Sequence, residues 1–207
     1  MDAHLRAGLA IYNAGEYHAA HDAWEAHWLD LDSGTDDEQF LHGLIQFTAA
    51  VYHTSNGNWS GATGLADSAG EYLAGLPPGY RGVNVAEVRA ELATLARDPE
   101  AVERRQPLAL THEGNKLGLE DLRFEATAVA ADVFAEEHGY DEQLVETAIE
   151  YAREDLSSDV ASSPFVTLLF DFVREPENRG IIVQRLGEHT DRRQSRDDDV
   201  SGLFDEG

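Results

Sequence analysis

The sequence predicts an all-α fold: a helical bundle of antiparallel hairpins followed by a C-terminal helical extension. Three observations carry this. Apolar residues recur at helical spacing along nearly the whole chain. The periodic runs are separated by short stretches of Gly, Asn, Asp and Pro, the residues that stop helices. Two segments, Gly15-Glu16-Tyr17-His18-Ala19-Ala20 and Gly57-Asn58-Trp59-Ser60-Gly61-Ala62, share the order glycine, aromatic, small residue, alanine. Each starts a helix whose aromatic packs back on the preceding one, as in tetratricopeptide-like hairpins. Two degenerate copies are too few for a solenoid and point to a compact bundle.

In order, residues 3 to 13 carry Leu5, Leu9 and Tyr12 on one face, and Asn13-Ala14-Gly15 ends that run. A histidine-bearing helix spans 16 to 30. Thr35 or Asp36 caps a third helix from 37 to 55, which stops at Ser55-Asn56-Gly57. A fourth runs from 58 to 75, to Leu76-Pro77-Pro78-Gly79. A fifth, 84 to 97, has Asn84 as its N-cap and ends before Asp98-Pro99. Residues 107 to 118 read as loop, with Leu108-Ala109-Leu110 as a short extended piece. Helices follow over 119 to 138 and 141 to 156, from Ser163-Pro164 through Val173, and over 177 to 190. The expected division is a bundle over 1–106, an extension over 107–191 and a charged, flexible tail over 192–207. In the tail, Val200 and Leu203-Phe204 are an apolar exception that can dock on the body.

Composition narrows the function. Forty Asp and Glu face fifteen Lys and Arg, giving a formal net charge of −25, and Lys116 is the one lysine. Carboxylates spread along the whole chain suit a cytoplasmic protein of a cell with molar internal salt, where the Debye length is only about 3 Å. No basic footprint for nucleic acid is present, and no apolar run is long enough for a membrane span. The N-terminus lacks the basic start and apolar stretch of a secretory signal. With no cysteine, disulfides and thiolate metal sites are excluded. A homo-oligomer or a protein partner is compatible with all of this.

Five of the nine histidines fall between residues 18 and 53. His21, Glu25 and Trp28 form an H-x-x-x-E-x-x-W pattern, which puts all three on one helix face. An imidazole and a carboxylate one turn apart can reach one divalent ion, and the indole can shield it. On the next helix His42, Gln46, Ala49 and His53 form a second stripe. Antiparallel pairing across a short connection sets His21 opposite Gln46, Glu25 opposite His42, and His53 near Tyr12 and Asn13. The candidate ligands are therefore His21, Glu25, Gln46, His53 and His42, with Trp28, Trp24 and Tyr12 lining the site. Such a donor set suits Zn²⁺, Mn²⁺ or Fe²⁺ and, with an open position, metal-assisted hydrolysis. Two other readings stand beside it: a structural hydrogen-bond network in a non-catalytic interaction module, and a site for an organic ligand. No P-loop, G-x-S-x-G elbow or dinucleotide loop is present.

Tyr12 to His21, then Glu25 and Trp28, then Leu41 to Gln46 through Tyr52-His53, resemble the "domain of unknown function 309" family. The resemblance covers about residues 4 to 80. It implies an all-α fold and a H-x-x-x-E-x-x-(W/Y) motif for which metal binding is suggested by residue type. It carries no established activity. His42 stands where the family more often has glutamine, so His21, Glu25, Gln46 and His53 are the positions that match. Residues 107 to 207 lie outside the resemblance and read as a lineage-specific extension.

Overall fold

A computed structural model describes residues 1–104 and 106–204, and gives the side chains outside 102–104 and 197–204. Arg105, residues 205–207 and the side chains of Val200, Leu203 and Phe204 lie outside the described residues. The fold is all-α. Its helices are α1 (Asp2–Asn13), α2 (Tyr17–Trp28), α3 (Asp36–Ser55), α4 (Trp59–Leu73), α5 (Val85–Leu95), α6 (Phe124–Glu137), α7 (Glu142–Ser157), α8 (Pro164–Arg174) and α9 (Arg179–Phe204). One two-stranded hairpin, β1 (Thr111–His112) and β2 (Asn115–Lys116), is antiparallel with Thr111 opposite Lys116. Among the described residues no helix is long and apolar enough to cross a membrane.

The chain divides into two compact units, Met1–Val129 and Ala130–Gly207. In the first, α1 to α4 pack as successive hairpins. Gly15 and Gly57 each take a left-handed backbone just past a helix end, at φ 93° and 70°. That conformation costs a side-chain-bearing residue energy and lets the next helix turn back. Tyr17 then packs its ring 5.2 Å from Tyr12 of the helix before it. Thr35 and Asn58 cap α3 and α4, their side chains accepting from Glu38 N and Gly61 N. α1 and α2 approach closely at Gly8. Trp24 is fully buried there and donates Nε1–H to the Leu5 carbonyl at 3.4 Å. A Cβ at Gly8 would overlap that indole, and one at Gly43 would overlap Leu73 between α3 and α4.

Asn84 precedes α5 as expected, yet its side chain caps nothing. Its amide instead donates to the Ala109 carbonyl at 3.2 Å and accepts from Thr111 N–H at 2.9 Å. Asn13 holds the other side of the same loop. It donates to the Leu110 and Leu117 carbonyls at 2.8 and 3.0 Å and accepts from Leu110 N–H at 2.9 Å. These contacts satisfy backbone groups around Leu108–Leu110, which therefore form no ladder, and the strands begin at Thr111.

In the second unit, Ser163 caps α8 with Pro164 at its first turn. Buried Arg179 lies 4.0 Å above the Phe134 ring and donates Nε–H to the Phe172 carbonyl at 3.0 Å. α9 continues to Phe204, beyond the point where the charged composition suggests a tail. Arg193 supplies a reason. It donates to Asp155 at 2.5 Å and to Glu154 at 2.8 Å, with its guanidinium 4.5 Å over the Tyr151 ring. Asp155 also accepts from Ser163 Oγ at 2.7 Å and is buried.

The Gly8 contact is testable. Gly8→Ala should destabilise the first unit by about 1–3 kcal/mol through overpacking against Trp24, measured by denaturant unfolding. A change within about 0.5 kcal/mol, the range of a surface substitution, would mean the two helices do not meet as described.

Candidate metal site

The motif helix α2 presents a graded surface. At about 100° per residue, Trp28 and His21 lie on the same side of the inward Trp24, about 40° and 60° round from it, and Glu25 lies further round toward solvent at about 100°. Accordingly, the His21 side chain is 30% exposed and that of Glu25 43%. His21 Nδ1 lies 2.9 Å from Asp22 Oδ1 and 4.0 Å from Glu25 Oε2. The potential ligand atoms of His21, Asp22 and Glu25 all lie within 4.8 Å of one another. Asp22 is the member that helical spacing overlooks, because it adjoins His21 in sequence. Its other oxygen sits 3.2 Å from His18 Nδ1 one turn earlier, and that i, i+4 pair was the available signal.

The second stripe is built differently. The His42 ring stacks on Tyr72 at 3.9 Å and lies 4.6 Å from Trp28. Gln46 Nε2–H donates to His42 Nε2 at 3.0 Å, which places the ring proton on Nδ1, 3.5 Å from Glu38 Oε1. Trp28 Nε1–H donates to the same Glu38 oxygen at 3.0 Å. The indole and the backbone N–H of Gly34 hold the Glu38 carboxyl below its ordinary pKa. His42 thus faces Trp28 where the expected pairing set it against Glu25, and His18 faces Tyr52 across the same pair of helices. The register is shifted by three residues, nearly one turn. By the same shift Ala49, not Gln46, stands level with His21.

His53 is occupied elsewhere. Asn58 Nδ2–H donates to its Nδ1 at 2.8 Å, so the imidazole buttresses the residue that caps α4. Among the described residues neither His42 nor His53 belongs to a metal-capable group. Trp24 sits in the core between α1 and α2. Tyr12 is also buried, and its hydroxyl donates to the Leu108 carbonyl at 2.9 Å. Of the expected set, then, His21 and Glu25 come together, while His42, Gln46 and Trp28 form a separate aromatic and hydrogen-bonded cluster.

Titration differs across α2. The hydrogen bond to Asp22, with added attraction from Glu25, raises the His21 pKa above its ordinary value against the opposing effect of burial. His4 and His27 stack at 5.1 Å and 17° between planes, and His4 Nδ1 is buried without a hydrogen-bond partner. Burial lowers both, and for His4 the nearby His27 charge adds to it. A histidine lowered in the fold contributes full stability above about pH 6.5, lost as pH falls below that value. A raised one contributes fully below about pH 6.5 and fades as pH rises through the folded value. His27→Gln should therefore flatten the acid-side loss of stability, whereas His21→Asn should destabilise more at pH 6 than at pH 8. Denaturant midpoints over that range check both, and an unchanged acid-side slope in His27→Gln would contradict the stacking argument.

Residues 5–65 match the family described as "Domain of unknown function (DUF309)". An uncharacterized protein of Aquifex aeolicus (strain VF5) is 28% identical over 88 residues, which is 42% of this chain and 26% of that protein. The match thus spans about a quarter of the relative's length. Over residues 5–65, which contain the whole H-x-x-x-E-x-x-W segment and all of its facing helix α3, the chain resembles the DUF309 family.

Proposed function

We propose that the outer flank of α2 is a divalent-cation site whose protein donors are His21, Asp22 and Glu25. The observation that carries it is the gathering of one imidazole and two carboxylates within 4.8 Å on a half-exposed surface. The donors fit a borderline cation: nitrogen and oxygen without thiolate suit Zn²⁺, Mn²⁺ or Fe²⁺. Three side chains leave room for water or substrate oxygen. A bound cation supplies Lewis acidity toward an oxygen ligand, the chemistry of metal-assisted hydrolysis.

The chain's own groups set the conditions. His21 holds a proton between the same carboxylates that attract a cation, so protons and metal compete for one place. Because the His21 pKa is raised, affinity should already be falling as pH drops below neutrality. The cytoplasmic, high-salt reading rests on the acidic composition.

A second reading applies to the neighbouring stripe. His42, Gln46, Glu38, Trp28 and Tyr72 support each other by stacking and hydrogen bonds, the pattern of a structural network joining helices. In that reading His42 is architecture, and a wholly structural stripe would make the domain a helical interaction module.

Elemental analysis of protein purified without chelator or affinity metal, followed by Mn²⁺ and Zn²⁺ titration, separates the readings. The wild type and His42→Ala should bind near-stoichiometric metal at pH 7.5. His21→Ala and Glu25→Ala should lose it by about tenfold or more while keeping their helicity. Absence of metal binding, or binding undiminished in both motif variants, would leave the interaction-module reading.

A further inference from the structure

A cavity lies away from the motif flank and owes nothing to the cation reading. It is a cleft of about 340 Å³ beside the turn between α1 and α2, in the size range of small-molecule sites. Tyr12, Tyr17, Gln106 and Leu108 are among its lining, and Lys116 of β2 reaches it from the hairpin. No Asp or Glu is among its described lining, although the chain carries forty of them. Lys116 is the chain's single lysine, and among the described residues its ammonium makes no ion pair. The described lining of this cleft thus offers a cation without an acidic residue beside it in the wall.

The walls are set before any ligand arrives. Asn13 ties Leu110 and Leu117, the residues flanking the hairpin, to the end of α1. Asn84 grips Ala109 and Thr111 from the other side. Tyr12 is committed to the Leu108 carbonyl. Tyr17 remains available: its hydroxyl has no hydrogen-bond partner among the described residues, and burial raises its pKa, so it stays a neutral donor. Across the rest of the surface a net charge of −25 repels anions. At molar salt, charges further apart than about 3 Å are screened. An anion would therefore be held only by direct contact with a cation, and here one is on offer beside an aromatic ring.

We propose that this cleft binds a small organic anion with a flat apolar body, its charged group against Lys116 Nζ and its body against the Tyr17 ring. Shape alone would accept a neutral molecule of the same outline; the lysine makes charge the discriminator.

The single lysine also makes the test direct. Full-length protein labelled with ¹³C at lysine Cε shows one lysine resonance, which is followed during titration with 2-naphthoate and, separately, with uncharged 2-naphthamide. The proposal expects a saturable shift with naphthoate and affinity for naphthamide weaker by about tenfold, the worth of one charge-assisted hydrogen bond. By naphthoate fluorescence, Lys116→Met should weaken binding by about tenfold, and Lys116→Arg should restore it to within about threefold of wild type. Circular dichroism confirms that each variant is folded. No saturable binding of naphthoate, equal binding of the amide, or undiminished binding by Lys116→Met would overturn the proposal.

Discussion

The close approach of α1 and α2 at Gly8 is the constraint on which the rest of the first unit depends. Trp24 can enter the core only because Gly8 offers no side chain, and its buried N–H finds the Leu5 carbonyl. Once the indole points inward, helical geometry dictates the rest of α2. Trp28 and His21 fall at the border between core and solvent, and Glu25 falls beyond it. Trp28 then reaches across to Glu38 and His42, while His21 turns to Asp22 and Glu25. A single rotation of the helix thus separates an inward aromatic cluster from an outward acidic one. The two are adjacent and chemically unlike.

Short amides act as joints throughout this unit. Asn13 and Asn84 hold the 108–117 segment from opposite sides, and Asn58 both caps α4 and engages His53. Neutral hydrogen bonds of this kind are indifferent to ionic strength, unlike exposed ion pairs. In an acidic chain with one lysine the available cations are mostly arginines, and two of them serve several groups at once. Arg81 and Tyr80 together hold Asp37 in the first turn of α3, which keeps that carboxyl below its ordinary pKa. Arg193 performs the corresponding task for Asp155 and Glu154 on α7.

The helices were legible because periodicity and capping are local: Thr35, Asn58 and Ser163 all cap as their residue types suggest. What escaped was long-range. The antiparallel register of α2 and α3 could be estimated from the length of their connection, but the three-residue shift is set by Trp28 docking on His42 and Glu38. The extension of α9 through a charge-rich stretch rests on Arg193 meeting carboxylates some forty positions away. Asn84 looked like a cap because asparagine before a helix commonly is one, and the competing claim came from a loop 25 residues later. His21 and Glu25 were visible as a spaced pair. Asp22 was hidden because an adjacent residue joins a site by turning its side chain along the helix, which no periodic pattern records.

The central claim is that the cation donors all come from the outer flank of α2, with one imidazole among them. Pulsed electron paramagnetic resonance of the Mn²⁺-loaded protein tests this most directly, since it counts the histidine nitrogens coupled to the ion. One histidine nitrogen should couple to the ion, with the coupling abolished by His21→Ala and untouched by His42→Ala. Coupling to two imidazoles, or a signal that survives loss of His21, would contradict it and return His42 or His53 to the site.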